Sequence, residues 1–181
     1  MANGTLLCIS GSLRQDSFNT KLVKEAARIF EAQTTLWADL RLPLYDQDLE
    51  ADGLPEPVQT LIGQISSADA IAISTPEYNK APPGVLKNAL DWVSRTKPMP
   101  LTGKRVAIMS ASAGRSGGER AQYMLRHFLV PHGAEVVHGP EVLVGSNFDQ
   151  FDGERLINDI NLKTLTELMG KLREAAGVLI A

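Results

Sequence analysis

The stretch Ala70-Ile71-Ala72-Ile73-Ser74 is apolar without alternation, as a strand buried on both faces must be. A sheet covered on both sides is a parallel sheet joined by crossover helices, and the rest of the chain reads that way. Thr5-Leu6-Leu7-Cys8-Ile9 is a short apolar run ahead of a loop. After the loop, positions 22, 23, 26, 27 and 30 are apolar at helical spacing. Thr34-Thr35-Leu36-Trp37-Ala38 reads as a second strand. Residues 58–65 form a short helix after Pro55 and Pro57. Val85, Leu86, Ala89, Leu90 and Val93 share the face of another helix, with Pro82 and Pro83 at its start. Residues 104–109 make a fourth strand. A helix from about Glu119 turns Met124, Leu125, Phe128 and Leu129 inward and is ended by Gly133. Residues 134–137 and 141–144 share the role of fifth strand, in a split form. A last helix begins near Gly153 and buries Leu156, Ile160, Leu165, Leu168, Met169 and Leu172. This alternation predicts an α/β fold: a three-layer, doubly wound, five-stranded parallel sheet in the order 2-1-3-4-5, forming one domain over residues 1–181. Its ligand crevice would lie between strands 1 and 3.

The loop after the first strand is Gly11-Ser12-Leu13-Arg14-Gln15-Asp16-Ser17-Phe18-Asn19. It leads from a buried strand to a helix start, whose free N–H groups and partial positive charge suit an anion. Ser12, Ser17 and Asn19 add short donors, and Arg14 adds a fixed cation of bidentate geometry. One glycine is too few for a dinucleotide fingerprint, and no Gly-Lys-Ser/Thr is present to hold a γ-phosphate. The favoured ligand is a terminal phosphate monoester. Each residue taken singly also fits a plainer role: Ser17 or Asn19 as a helix cap, Arg14 as a solvated side chain.

Two further loops share the same sheet edge. Thr75-Pro76-Glu77-Tyr78-Asn79-Lys80-Ala81-Pro82-Pro83-Gly84 is stiffened by its prolines. Residues 110–118 are small and rich in glycine, which lets a ligand approach the backbone. In the order 2-1-3-4-5 all three loops surround one crevice. The stretch 39–50 carries Pro43 and several acids, which argue against regular structure. It is long for a connection, and Leu42, Leu44 and Tyr45 have no evident place in a monomer's core.

The net charge of −3 provides no basic footprint for nucleic acid. No apolar run approaches ~20 residues, so no membrane span is expected. The amino terminus lacks a signal pattern, and a cytoplasmic location is the expectation. The single cysteine, Cys8, falls in an apolar run and reads as a buried inert thiol. His127, His132 and His138 show no metal-ligand spacing; a surface position is expected for them, and no metal site.

Gly11-Ser12-Leu13-Arg14 with Ser17 and Asn19 resembles the first signature of the flavodoxin-like NAD(P)H-dependent FMN reductases. Thr75-Pro76-Glu77-Tyr78-Asn79, continued by Pro83-Gly84-Val85-Leu86-Lys87-Asn88-Ala89-Leu90-Asp91-Trp92, resembles the second. Gly117-Gly118 with Arg120-Ala121-Gln122 and Leu125-Arg126, and the segment Leu42-Pro43-Leu44-Tyr45-Asp46, are similar to the bacterial quinone and chromate reductase branch. The resemblance implies bound FMN, with Ser12, Arg14, Ser17, Phe18 (through its backbone N–H) and Asn19 at the phosphate. It implies Pro76, Glu77, Tyr78 and Asn79 beside the isoalloxazine, and Ser112 and Gly114 closing the other side of the ring. NADPH or NADH would deliver hydride to the flavin N5 and be replaced by a quinone or another acceptor, such as chromate, an azo compound or free flavin. The flavin carries the chemistry, so no catalytic side chain is expected. A homodimer or homotetramer is expected, with the 40–50 loop near the partner's flavin.

Two rivals are set against this enzyme. A flavodoxin-type electron carrier should be strongly acidic for docking, and −3 over 181 residues is weak support. A phosphate-monoester hydrolase needs a nucleophile in the loop centre. Cys8 precedes the loop, and Asp16 has no metal partners nearby. Glu77 has no matching histidine or nucleophile and reads as a loop-shaping residue. Arg115 fits either a nicotinamide cofactor's phosphate or a solvated loop.

Overall fold

The computed structural model describes residues 4–178; Met1, Ala2 and Asn3, read above for a signal pattern, lie outside the described residues. Strands β1 (Thr5–Ser10), β2 (Thr34–Trp37), β3 (Ala70–Thr75), β4 (Arg105–Ala111), β5 (Glu135–Val136) and β6 (Val142–Val144) form one parallel sheet. Its order is β2-β1-β3-β4-β5, with β6 also on β4, so the fifth position is split as expected. The helices are α1 (Phe18–Phe30), α2 (Gln47–Ala51), α3 (Glu56–Ser67), α4 (Gly84–Val93), α5 (Glu119–Leu129) and α6 (Asp159–Ala175). A hairpin of β7 (Phe151–Asp152) and β8 (Arg155–Leu156) precedes α6. Among the described residues no helix is long and apolar enough to cross a membrane.

Alternate residues of each central strand feed two separate cores. Leu6, Cys8, Ala70, Ala72, Ala107 and Met109 face α1 and α6, meeting Leu22, Phe30, Leu165 and Met169. Leu7, Ile9, Ile71, Ile73, Val106 and Ile108 face α3, α4 and α5, meeting Leu61, Ile65, Leu86, Leu90, Leu125 and Leu129. The unbroken apolarity of β3 follows from this double burial. Cys8 is buried, and burial pushes its thiol up to about 12.

Several expectations need correction. The last helix starts at Asp159 and not near Gly153, because residues 151–156 turn back as the β7–β8 hairpin. Leu156 is buried from that hairpin, while Ile160, in the first turn of α6, is 77% exposed. Met124 is exposed on α5, and Gly133 closes the 3₁₀ turn Val130–His132 that follows that helix. His132 is buried, its ring nitrogens 2.9 Å from the Phe128 carbonyl oxygen and 3.0 Å from that of Leu90.

The 39–50 stretch contains α2, capped by the Asp46 side chain, and is tied to its own subunit. Trp92, fully buried on α4, donates from Nε1 to the Pro43 carbonyl at 2.8 Å. Asn88 donates to the same oxygen at 2.9 Å and accepts from the Tyr45 N–H at 2.8 Å. The Tyr45 ring meets Trp92 edge-on at 5.0 Å, and Leu40 is buried. Leu42, half-buried against the second core, and Tyr45 therefore do have a place in the monomer, against expectation. Leu44 alone projects outward, 81% exposed.

Glu25 on α1 is 2% exposed yet charged, because two guanidinium groups reach it. Arg28 Nη2 donates at 2.6 Å and Arg155 Nε, from β8, at 3.0 Å. Burial pushes its carboxyl up, but the two arginines outweigh that and hold it below the usual carboxylate range. A depressed folded pKa means stability present above the unfolded carboxylate value and lost as pH falls through the folded one. Glu25→Gln is expected to cost about 1–3 kcal/mol at neutral pH and to flatten the acid limb of a melting-temperature profile. An acid limb as steep as wild type would remove Glu25 as its source.

Candidate functional site

The site is assembled at the carboxyl ends of β1, β3, β4 and β6. At the end of β1 the Gly11 N–H donates to the Ser74 carbonyl at 2.8 Å, holding the first loop against β3. A Cβ on Gly11 would come 2.7 Å from Leu86 Cδ1 and 3.2 Å from Pro76 Cδ, so any side chain here would have to push Leu86 aside. The Ser10 and Thr20 hydroxyls lie 2.8 Å apart and tie the loop to α1. Ser17 is the N-cap of α1: its backbone is extended, and its Oγ accepts from the Asn19 N–H at 3.2 Å. No acidic residue occupies the first turn of α1, so its positive end is unneutralised from within the helix. Arg14 is exposed, and among the described residues its guanidinium makes no ion pair.

Asn19 has a role that its sequence position does not reveal. It is 4% exposed. Its Nδ2 donates to the Ala111 carbonyl at 2.9 Å, and its Oδ1 accepts from the Ala111 N–H and the Ser74 hydroxyl, each at 2.9 Å. One amide thus joins the start of α1 to the last residue of β4 and to β3.

After β3 the chain makes a two-residue turn. The Tyr78 N–H donates to the Ala81 carbonyl at 2.9 Å and the Ala81 N–H returns to Tyr78 at 3.0 Å. Asn79 and Lys80 between them have φ of 51° and 68°, the positive values of a primed hairpin turn. Lysine is costly there, so the turn stores strain at the edge of the site. Glu77 Oε2 accepts from the Ala121 N–H at 3.1 Å, in the first turn of α5. That contact is the loop-shaping role expected of it.

After β4, Ser112 Oγ accepts from the Gly114 N–H at 3.3 Å. Gly117 has φ of 63°, and a Cβ on it would sit 2.5 Å from the Leu143 carbonyl carbon, so the loop packs directly on β6. Gln122 is buried and donates to Ser110 Oγ and the Val142 carbonyl, each at 2.8 Å, bracing the loop from below.

A cleft of about 200 Å³ is lined by Ser12, Arg14, Ser17, Phe18, Asn19, Pro76, Glu77, Tyr78 and Ser112. Two of the expected residues, Asn79 and Gly114, lie outside that lining, as does Arg115. Ala111, Ala113, Asn147 and Phe148 line it as well. Sequence reasoning missed the last two. Their signal was Gly145-Ser146-Asn147, a turn sequence directly after a strand and so at the same sheet edge. Asn147 is buried, and its Oδ1 finds no partner among the described residues. Phe148 is exposed and meets Phe18 edge-on at 5.6 Å. A larger apolar cleft of about 590 Å³ shares Ser12, Arg14 and Tyr78 with the first and extends to Leu40, Leu42, Leu44 and Val85. Among the described residues no group of three or more His, Cys, Asp or Glu could hold a metal ion.

A doubly wound sheet with hydroxyls, a free arginine and a helix N-terminus at its β1/β3 switch point defines a flavodoxin-like binding protein. Residues 5–149 match the model of the NADPH-dependent FMN reductase family. An NAD(P)H-dependent FMN reductase of Pseudomonas aeruginosa is 44% identical over 157 residues, 85% of each chain. A quinone reductase of Escherichia coli is 40% identical over 174 residues, 92% of this chain and 90% of that one. In structure, a flavoenzyme NAD(P)H:acceptor oxidoreductase of Paracoccus denitrificans superposes with a TM-score of 0.83 at 31% identity, covering 97% of this chain and 96% of that one. The chain belongs to the NADPH-dependent FMN reductase family and is an FMN-dependent NAD(P)H oxidoreductase.

Proposed function

We propose that the cleft between the loops after β1, β3 and β4 holds FMN, and that the enzyme passes two electrons from NAD(P)H through it to quinones or other small acceptors. The observation that carries this is the convergence of Arg14, the Ser12 and Ser17 hydroxyls and the free positive end of α1 on one cleft. That donor set matches a phosphate monoester. The Asn147 Oδ1, an acceptor on the wall of the same cleft, is left for a donor that the phosphate lacks and the ribityl hydroxyls or ring N3–H of FMN provide. Phe18 contributes its backbone N–H at the helix start. Asn19 acts by holding α1 in register with the strand ends. Pro76, Glu77 and Tyr78 border the isoalloxazine, with Ser112 opposite; Asn79, next to Tyr78, and Gly114, whose N–H is held by Ser112, complete the two loops without lining the cleft. When bound, FMN supplies hydride acceptance at N5, and no side chain need act as acid or base. The apolar cleft beside Tyr78 suits a flat, weakly polar acceptor such as a quinone, and the Escherichia coli relative is named for quinone reduction. A cytoplasmic location, where NAD(P)H is supplied, goes with this reading.

The test is the absorption spectrum of the purified protein. Flavin bands that bleach anaerobically with NADPH or NADH and return with a quinone are the expected result. A colourless protein that takes up no added FMN would end the proposal.

The same reading includes a homodimer, with further pairing to a tetramer, in which the 40–50 loop walls the partner's flavin cleft. Its support is Leu44, an exposed leucine on a segment whose backbone is firmly anchored to α4. Tyr45 holds the loop to Trp92, so Leu44→Asp is the clean probe. Light scattering at micromolar concentration should find wild type dimeric or larger and Leu44→Asp smaller. A monomeric wild type, or a variant that assembles as wild type does, would take Leu44 out of the interface.

A further inference from the structure

Asn147 stands on the turn after β6, outside every motif read from the sequence. It is 6% exposed and lines the small cleft, and its Oδ1 has no hydrogen-bond partner among the described residues. A buried acceptor left without a partner is costly, and folded proteins keep few of them. Most of the other polar groups around this cleft are already engaged. Ser17 caps α1, the Asn19 amide bridges two strands, and Glu77 holds the first turn of α5.

The turn that carries Asn147 is held from two sides. Toward the loop after β4, the Asn147 N–H donates to the Ser112 carbonyl at 3.3 Å, and the Ser112 N–H donates to the Val144 carbonyl at 3.0 Å. Gly145 packs on the Arg115 carbonyl so closely that a Cβ would strike it. Ser146 has φ of 47°, a left-handed conformation that serine adopts only where its surroundings impose it. Toward α1, Phe148 meets Phe18 edge-on at 5.6 Å, and Phe151 from the β7–β8 hairpin meets the same ring at 5.3 Å. Asn147 is therefore fixed between two landmarks, the first residue of α1 and Ser112.

Those landmarks identify the part of the ligand it faces. On the flavin reading above, the start of α1 holds the phosphate and Ser112 flanks the ring. The piece of FMN that spans the interval is the ribityl chain. Its hydroxyls donate, which is what an unmet acceptor requires. The phosphate at neutral pH offers oxygen acceptors and would repel Oδ1. The ring N3–H can donate, but it lies on the pyrimidine edge, away from N10, where the chain to the phosphate leaves the ring. Resting on that flavin reading, we infer that Asn147 is a positioning residue whose Oδ1 accepts a hydrogen bond from a ribityl hydroxyl. The turn after β6 is then a fourth flavin-binding element. It holds the middle of the cofactor, so that the depth of the ring in the cleft is set by the chain as well as by the phosphate anchor.

Fluorescence titration of the flavin-free protein with three flavins tests this. Asn147→Ala should raise the dissociation constants of FMN and riboflavin alike, by about three- to tenfold, the worth of one neutral hydrogen bond. Lumiflavin keeps the ring and lacks the ribityl chain, so it should bind wild type and Asn147→Ala equally. Asn147→Asp keeps an acceptor at the same place and should bind riboflavin within about twofold of wild type. Unchanged affinity for riboflavin in Asn147→Ala would overturn the inference, as would a loss confined to FMN, which would put Asn147 at the phosphate. A loss that extends to lumiflavin would overturn it as well, since a contact to the ring or a merely structural role weakens all three flavins. So would an Asn147→Asp variant that loses riboflavin as Asn147→Ala does. Failure of the flavin reading itself looks different: wild type would then take up none of the three.

Discussion

Asn19→Ala is expected to cost the flavin-free protein about 3–5 kcal/mol. The substitution removes three hydrogen bonds at one buried point and leaves the Ala111 N–H, the Ala111 carbonyl and the Ser74 hydroxyl unpartnered. Each orphaned buried group costs about 1–3 kcal/mol, partly relieved where water can follow the lost side chain. The sum is a large share of the ~5–15 kcal/mol by which a domain of this kind is stable. Asn19→Asp separates the amide's two roles. A carboxylate keeps both acceptor bonds but sets an anionic oxygen against the Ala111 carbonyl, where Nδ2 donates in the wild type. Only the protonated acid can donate there, so the folded-state pKa of that aspartate is raised. Its stability should approach wild type in acid and fall as pH rises above about 4. Urea titrations across pH measure both variants. A cost under about 1 kcal/mol for Asn19→Ala, or no pH trend for Asn19→Asp, would show that the strand ends are held together by something else.

The sheet was legible because strands buried on both faces leave continuous apolar runs, and amphipathic helices leave apolar residues at helical spacing. The split of the fifth strand was legible for the same reason, with two short apolar runs interrupted by Gly139 and Pro140. What periodicity cannot show is a partner far away in the chain. Asn19 looks like a capping or ligand residue in its own loop; its partners, Ser74 and Ala111, come from two other strands. The 40–45 segment looks unsupported for the same reason, because Asn88 and Trp92, which hold it, sit on a helix more than forty residues later. Ile160 failed for a different cause. Its spacing fits the inward face of α6, but it lies in the first turn, before that face meets the sheet. All three expected loops were readable by composition, rich as they are in Gly, Pro, Ser and Asn. The fourth contributor, Asn147 and Phe148, was passed over because its turn sequence is short and follows a strand of only three residues.

Arg14→Ala should weaken FMN binding by about 1.5–3 kcal/mol, roughly ten- to 150-fold in dissociation constant, the worth of charge-assisted hydrogen bonds to a phosphate. The expectation rests on a division of labour within one loop. Ser17 is already engaged as the cap of α1, accepting from the Asn19 N–H, and Asn19 itself is turned inward to the strands. Among the described residues, Arg14 is the cation that lines the small cleft. Its side chain plays no part in the core, so its removal should leave the melting temperature of the flavin-free protein within about a degree of wild type. Arg14→Lys keeps the charge and loses the planar fork, and should recover only part of the affinity. The phosphate is what the arginine reads. The variant's loss should therefore vanish with riboflavin, which lacks the phosphate and should bind wild type and Arg14→Ala alike. Fluorescence titration of the flavin-free protein with FMN and with riboflavin gives all four constants. Unchanged FMN affinity in Arg14→Ala, or an equal loss for riboflavin, would move the phosphate away from this loop.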